Sequence, residues 1–357
     1  MKREKRDESA PPLPFLPCDL IFNILSWLPV KSILRFKCVC KSWLTLFTDP
    51  DFVKKHLSQS QNHKLIVSCE FDNFFSVICE NHDPKPIHNI NSKIRGIEVN
   101  FLGSSYGLVL YATGGAGASN RLYLLNPTTE KFNRLPVLPS LIDQITVSYG
   151  FGYVASIDDY KVVAISSSLN GVSDFESITS VYTLKTNSWR RIQDRTLEVL
   201  PFEGSGILLH GVIHWLRPHW SNITCFDLVE EKFQYMPLPA DLQIDPLSNK
   251  LTCGVLRGCL CISFIIQDQD LMFSREFWVM TEYGKRESWT NVWSTIGFDS
   301  IKSLNFSNSA KEDLFLVDKR WLVGYNVEKD SFSRYRANYN PTTNIEAEIY
   351  LESMVSP

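Results

Sequence analysis

Three histidines lie close together in the sequence, where imidazole side chains could chelate a metal ion. His210 and His214 are four residues apart, and His219 follows them. That spacing suits zinc on a helix, but "ILLHGVIHWL" is typical of a strand, a bend at Gly211 and a second strand. No carboxylate or thiolate completes a ligand set at suitable spacing. The sequence therefore predicts no metal site here.

The nine cysteines are the next candidates for metal or redox chemistry. Cys38 with Cys40, and Cys259 with Cys261, form C-x-C pairs, and no second pair follows at zinc-finger spacing. The number is odd, and the neighbouring residues are mostly apolar. In a chain without a secretory signal, this pattern predicts reduced thiols that are mostly buried.

Motifs for nucleotide binding or hydrolysis are also lacking. The run "GGAG" at 114–117 has no following Lys-Ser/Thr to grip a phosphate, and it precedes a strand instead of a helix. No G-x-S-x-G occurs, and no carboxylate pair can be placed at glycosidase separation. We therefore expect no cofactor and no catalytic activity.

Composition and charge narrow the class of partner. The chain has 357 residues, 44% of them hydrophobic, and a formal net charge of -3. This charge provides no overall positive field, so nucleic acid is not expected as a partner. No apolar run approaches the roughly 20 residues that cross a bilayer, so we expect no membrane partner and a location in the cytoplasm, the nucleus or both. The charged residues 1–12 are predicted to be a disordered basic tail.

Residues 13–58 have the periodicity of short helices. Apolar residues from Pro17 to Leu28 follow the spacing of one helical face, and Pro29 ends that helix. Ser32 is a plausible N-cap for a second helix. A third apolar stripe follows, and "DPDFVKKHL" offers Asp49 or Asp51 as the cap of a fourth. So small an all-α module buries little surface alone, and we expect a partner to cover its apolar surplus.

Residues 62–357 change to short β-rich runs separated by turn residues. Four segments share an eight-residue frame that begins with a large apolar residue and ends with an aromatic one: "LNPTTEKF", "YTLKTNSW", "FDLVEEKF" and "YNVEKDSF". A fifth, "FWVMTEYGKRESW", contains a longer hairpin. The repeat is close to the ~50 residues of a kelch-type propeller blade. The region is predicted to be an all-β, kelch-like β-propeller.

Counting the strands gives five full blades, and leftover strands at the two ends of this region supply a sixth by pairing with each other. Six blades are expected, with seven as the alternative. Strands in a blade alternate in direction, so the second-to-third and blade-to-blade connections share one face. That face holds the longer variable stretches and is the expected recognition face.

Four residues on those stretches have the composition of an interface hot spot. They combine aromatic side chains with arginines in predicted loops: Arg217, Trp220, Phe273 and Arg275. We expect them to contact a bound protein, with local loop packing as the alternative.

The run "LPFLPCDLIFNILSWLPVKSILRFKCVCKSWLTLFTDPDFVKKHL" resembles an F-box of the plant type. The remainder is similar to the F-box-associated domain of plant F-box proteins, on the segments "LLNPTTEKFNRLP", "DYKVVAI", "VYTLKTNSWRRI", "LHGVIHWL" and "FWVMTEYGKRESW". The two resemblances span almost the whole chain.

The resemblance implies a non-catalytic substrate receptor. F-box proteins dock a Skp-type adaptor, join through it the cullin and RING subunits of an SCF ubiquitin ligase, and present a protein substrate. The adaptor-facing residues of such families match Leu16, Pro17, Leu20, Ile24, Leu25, Leu28, Pro29, Ile33, Leu34, Val39, Cys40 and Trp43. Position 40 is often serine in relatives. The alternative is a propeller scaffold or enzyme that acts without a ubiquitin ligase.

Overall fold

A computed structural model of the chain divides it into two compact units, Met1–Ser60 and Gln61–Pro357. The structure describes residues 16–60, 63–69, 73–80, 83–90, 99–114, 121–139, 146–170, 174–192, 204–216, 222–240, 251–267, 273–296, 301–304, 312–317, 321–326, 331–335 and 345–357.

The first unit contains four short helices in its described part. They are α1 (Cys18–Ser26), α2 (Val30–Phe36), α3 (Lys41–Leu46) and α4 (Pro50–Gln59). Asp49 caps α4, since its side chain accepts from the backbone N–H groups of Asp51 and Phe52. The prediction that Ser32 caps α2 is wrong. Pro29 holds the N-cap position with extended backbone (ψ 142°), so the helix begins as soon as the proline has turned the chain.

A chain of aromatic rings forms the core of this helical unit. Phe22 of α1 packs edge-on against Phe52 of α4 at 5.2 Å between ring centroids. Phe47 contacts Phe52 at 5.3 Å and Trp43 at 5.9 Å, and Trp43 in turn contacts Phe36 of α2 at 5.4 Å. Each helix therefore contributes to one small core, as edge-to-face aromatic packing allows.

The second unit is built from antiparallel strands, with one 3₁₀ turn at Arg286–Ser288. The strands are β1 (His63–Cys69), β2 (Asn73–Glu80), β3 (Asp83–Ile90), β4 (Val99–Ser105), β5 (Leu108–Thr113), β6 (Arg121–Asn126), β7 (Lys131–Arg134), β8 (Thr146–Val154), β9 (Asp159–Asn170), β10 (Asp174–Thr183), β11 (Ser188–Arg191), β12 (Ile207–Leu209), β13 (Val212–Leu216), β14 (Asn222–Asp227), β15 (Phe233–Pro237), β16 (Thr252–Leu256), β17 (Cys259–Gln267), β18 (Phe273–Met280), β19 (Trp289–Ile296), β20 (Ile301–Leu304), β21 (Glu312–Val317), β22 (Trp321–Asn326), β23 (Ser331–Tyr335) and β24 (Ile345–Leu351).

These described strands form six sheets of four strands each. The first sheet has the order β24-β1-β2-β3, and each of the other five takes four consecutive strands. The innermost strands contact one another around a closed ring, in the order β24, β4, β8, β12, β16, β20 and back to β24. A helical module followed by a β-propeller is therefore confirmed.

The two ends of the propeller region meet in the first sheet. β1 pairs with β24 along its whole length, from His63 opposite Leu351 to Cys69 opposite Ile345. The predicted pairing of the chain ends is confirmed. It completes the first sheet with its innermost strand, and β24 contacts both β20 and β4, which closes the ring.

The sequence repeat corresponds to the hairpin between the third and fourth strands of a sheet. Its first residue lies opposite its last aromatic in four sheets, as the pairs Leu125 with Phe132, Tyr182 with Trp189, Phe226 with Phe233 and Tyr325 with Phe332 show. In the longer fifth copy, Trp289 pairs with Met280 instead of Phe277. The frame therefore marks a cross-strand pair that fixes the register of each hairpin.

The hydrophobic cores of the propeller lie between neighbouring sheets. One example joins the third and fourth sheets, where Val163 and Val181 meet Ile213, Trp215 and Phe226, all of them fully or almost fully buried. Similar clusters join the first sheet to the second, the second to the third, and the fourth to the fifth. The first five sheets are thus packed against their neighbours through buried apolar cores.

Candidate interaction surface

Helix α1 is apolar on two opposite faces. Phe22 packs against Phe52 of the aromatic core, and Leu25 is buried. Leu20 and Ile24 remain 49% and 55% exposed, and Leu16, which precedes the helix, is 56% exposed. A helix that is apolar all round is normally buried on all sides. Here one apolar face has no cover among the described residues of the helical unit, which is the arrangement expected of a docking surface.

The structure places most of the predicted adaptor-binding residues at the surface of this unit. The exposed ones are Leu16, Pro17, Leu20, Ile24, Pro29, Val39 and Cys40, and the half-buried ones are Leu28, Leu34 and Trp43. Val39 belongs to the segment between α2 and α3, so the exposed apolar positions come from more than one element.

Two predicted adaptor contacts need correction. Leu25 and Ile33 are buried in the helical unit, with 5% and 0% of their surface exposed, and they are not available for direct contact with a partner. Periodicity alone could not separate them from Leu20 and Ile24, because both sets satisfy helical spacing. Conversely, Trp27 and Leu44 are exposed apolar residues that the sequence reasoning missed. Trp27 was detectable from its position three residues after Ile24.

Of the four predicted substrate-binding residues, the structure describes the side chain of only one, Arg275. Arg275 is only 1% exposed and donates from its guanidinium to Ser263 Oγ at 3.0 Å, so its assignment to a surface loop is wrong. Strand β18 begins at Phe273, and strand alternation puts Arg275 on the same buried side as Phe277. Arg217 and Trp220 lie outside the described residues, and so does the side chain of Phe273.

The connections between strands lie on two opposite faces of the propeller, because neighbouring strands of a sheet run in opposite directions. The first-to-second connections are two-residue turns in three sheets, where Tyr106, His210 and Arg257 have positive φ and each precedes a glycine. The second-to-third connections lie on the opposite face. Much of the stretch "SSSLNGVSDFES" is in fact strand, because β9 and β10 extend to Asn170 and from Asp174.

The histidine pair has a structural role in the described part of the chain. His214 is fully buried on β13, its Nδ1 donates to the carbonyl of Ile207 at 3.1 Å, and Tyr283 donates its hydroxyl to Nε2 at 2.7 Å. Burial lowers the pKa of His214 to about 4, against the opposing effect of the Ile207 hydrogen bond. The ring of His210 contacts Tyr283 edge-on at 5.1 Å. The longer hairpin of the fifth sheet is thereby attached to the fourth.

Two cysteines of this region, the buried Cys225 and the half-buried Cys253, have unreactive thiols. Burial raises the pKa of both Cys225 and Cys253 to about 12, so the thiols stay protonated at neutral pH. The exposed cysteines are Cys18, Cys38 and Cys40 of the helical unit, so the prediction of burial does not hold for these three. Among the residues that the structure describes, no group of three or more His, Cys, Asp or Glu side chains could hold a metal ion.

The chain thus combines a short helical module that has an exposed apolar face with a β-propeller. The chain matches the family of the F-box associated beta propeller domain over residues 56–350 and the F-box domain over residues 13–55. The chain belongs to the plant F-box proteins with an F-box-associated domain.

Two relatives from Arabidopsis thaliana cover nearly all of the chain. F-box protein CPR1 is 29% identical over 385 residues, which cover 95% of this chain and 88% of the relative. F-box/kelch-repeat protein At3g23880 is 28% identical over 372 residues and covers 96% of both chains.

Membership in this family gives the general role of the chain. F-box proteins with a propeller domain act as substrate receptors, and the F-box is in general a module that binds a Skp-type adaptor. Among the described residues, no helix is both long and apolar enough to cross a membrane.

Proposed function

We propose that this chain is the substrate-recognition subunit of an SCF-type cullin ubiquitin ligase in the cytoplasm or nucleus. Residues 13–58 bind a Skp-type adaptor, which links the chain to the cullin and RING subunits. Residues 62–357 form a six-bladed propeller that holds a protein substrate. The chain does not form the ubiquitin bond itself.

The observation that carries this proposal is the exposed apolar face of α1. Leu20 and Ile24 are each about half exposed although the helix already buries its other face against Phe52. Covering apolar surface with a partner gains about 25 cal/mol per Å². A protein partner with an apolar groove is therefore the ligand that this face fits best.

The two faces of the propeller differ in their connections. The tight first-to-second turns lie on one face. The second-to-third connections are at the other end of the strands. Loops on a rigid scaffold tolerate variation, which suits them to select a substrate. We assign substrate binding to that face and keep Arg217, Trp220 and Phe273 as candidates.

The adaptor contact is tested with a charge placed in the apolar face. Ile24→Glu is expected to weaken binding of a purified plant Skp-type adaptor to the full chain by at least about thirtyfold, as hot-spot losses do. Isothermal titration calorimetry measures the affinity. Ser58→Glu is the matched control, since it adds the same charge to α4, which packs on the opposite side of α1. Unchanged adaptor binding by Ile24→Glu would contradict the proposal.

Trp43→Ala is a less suitable variant than the sequence alone indicates. Trp43 contacts Phe36 and Phe47 within the aromatic core, so its loss also weakens the fold of the helical unit. Ile24 has no such role in these ring contacts, and its variant separates binding from folding.

The Ile24→Glu chain also provides a way to find the substrate. A receptor that no longer binds its adaptor still holds its substrate but does not direct its ubiquitination. Proximity labelling in plant cells is expected to enrich a substrate with Ile24→Glu over the wild type. The same substrate should accumulate when the variant is expressed. Turnover of a small molecule by the full chain, with no adaptor bound, would favour the scaffold or enzyme alternative.

A further inference from the structure

Trp27 has the largest exposed fraction among the large apolar side chains of the described residues, at 70%. Exposed tryptophan is uncommon, because its ring buries a large apolar area when it is covered. The position follows α1 directly and precedes the Leu28-Pro29 pair. The sequence-based assignment of adaptor contacts does not include it.

Trp27 extends the exposed face of α1. Its backbone is still in the right-handed helical region (φ -94°, ψ -5°), and its N–H bonds to the carbonyl of Ile24. Steps of four and three residues connect Leu20, Ile24 and Trp27, which keeps them on one side of the helix. Phe22 points the other way, toward Phe52. The indole therefore continues the stripe instead of belonging to the core.

The charge of the helical unit indicates what surrounds this stripe on a partner. Residues 16–60 contain six lysines and arginines against three aspartates, although the whole chain is net negative at -3. Lys31, Arg35 and Lys41 are exposed on the two helices that follow Trp27. One aspartate, Asp49, is already engaged as a helix cap. The described part of the helical unit thus combines an exposed apolar stripe with an excess of basic side chains, although Asp19 is an exposed acidic residue on α1 itself.

We infer that Trp27 is a further anchor of the adaptor contact, inserted in an apolar pocket of a partner surface whose rim is acidic. This inference rests on the proposed function. Beyond the proposed function, the inference names one specific contact residue and the charge of the partner surface. Tryptophan is among the residue types that dominate interface energetics, and charges at a rim mainly raise the association rate.

The test compares variants of the full chain in binding to a purified plant Skp-type adaptor. Trp27→Ala is expected to raise the Kd at least tenfold, and Trp27→Phe to restore most of the affinity because it keeps an aromatic ring. Val137→Ala is the matched control, since Val137 is 67% exposed but belongs to the propeller. Circular dichroism should show the same helix content in all variants, as the indole has little contact to lose.

The acidic rim is tested by charge reversal and by salt. Lys31→Glu and Arg35→Glu are expected to slow association severalfold at low salt, and raising the salt should shrink the difference from the wild type. Faster or unchanged association of both variants would overturn this part of the inference.

The role of Trp27 and the proposed function can be contradicted independently of each other. If Trp27→Ala keeps the wild-type Kd while Ile24→Glu loses binding, the role of Trp27 is wrong and the proposed function stands. If Ile24→Glu also keeps the wild-type Kd, the proposed function itself fails.

Discussion

His214 is of a residue type typical of metal sites, but here it makes hydrogen bonds, one of which joins two sheets. Its two ring nitrogens are both engaged, by the Ile207 carbonyl and the Tyr283 hydroxyl, and the bond that Nε2 accepts from Tyr283 needs the neutral ring. Burial lowers its pKa to about 4, below the ordinary value of 6.5. His210, on the adjacent turn, also disfavours a second positive charge there.

This pKa shift predicts a loss of stability in acid. The unfolded chain takes up a proton at His214 near pH 6.5, whereas the folded chain resists it until about pH 4. Stability from this residue is therefore complete above pH 6.5 and falls as the pH drops, by about 3 kcal/mol at pH 4. Urea unfolding of the full chain at pH 7, 5.5 and 4 measures this effect.

His214→Gln provides the comparison, since an amide can donate to Ile207 and accept from Tyr283 without titrating. The variant is expected to be less stable than the wild type at pH 7, and the gap should narrow as the pH falls. Parallel stability curves from pH 7 to 4 would show that His214 does not titrate as its burial implies.

The sequence predicts the burial or exposure of individual side chains less well than it predicts the helices and strands. Helical spacing groups Leu20, Ile24 and Leu25 together, but which of them is buried depends on where α4 packs. Arg275 is predicted to be a loop residue beside the aromatic Phe273, but it lies on the buried side of β18 and donates to Ser263. Such assignments depend on tertiary contacts that no local pattern contains.

At the scale of elements, the segment after β24 fastens the first sheet to the second. Asn126 donates from its side chain to the carbonyls of Ser353 and Val355, at 3.1 and 2.7 Å, and its Oδ1 accepts from Thr128 N–H. Lys64 pairs with Glu352 at the start of the same segment. The last residues of the chain are therefore part of the fold.

Alanine substitutions at Gly107 and Gly258 measure how much the packing of this segment contributes to the stability of the propeller. Both have positive φ, +85° and +76°, but a Cβ at Gly107 would lie 2.0 Å from Ser353 Oγ, whereas a Cβ at Gly258 has no atom within 4 Å among the described residues. Gly258→Ala is expected to cost about 1 kcal/mol for the left-handed backbone alone. Gly107→Ala adds a clash with a buried residue and should cost at least about 2 kcal/mol more. Equal losses in urea unfolding would show that Ser353 is not held against this turn.

Elements were predictable where local rules decide them. Pro29 separates α1 from α2, Asp49 caps α4, and the aromatic repeat marks the hairpins, because each effect acts within a few residues. The N-cap at Ser32 was wrong for a related reason. Pro29 can itself occupy the cap position, so the helix needs no separate start signal.

At the scale of the whole molecule, the arrangement of sheets follows from the repeat, since each copy supplies one hairpin and the remaining strands must pair somewhere. The ends then pair with each other, as β1 does with β24. What the loops bind does not follow from the repeat. Closure depends on backbone pairing that the fold dictates, whereas specificity depends on individual loop side chains.

Closure by the chain ends predicts that removing β24 affects the propeller but not the helical unit. Deleting residues 345–357 removes the partner of β1 on one of its two edges, leaves it paired only with β2, and opens the ring between β20 and β4. The propeller should lose its cooperative unfolding transition, followed through the fluorescence of buried tryptophans such as Trp215 and Trp289.

Adaptor binding should survive the same deletion, because the exposed stripe of α1 and the aromatic core beneath it belong to a separate compact unit. Deletion of residues 2–12 is the control for truncation as such, and it should leave the propeller transition unchanged. A cooperative transition at the wild-type midpoint after loss of β24 would mean that the ring does not depend on its closing strand. Loss of adaptor binding together with the propeller transition would mean that the two units fold as one.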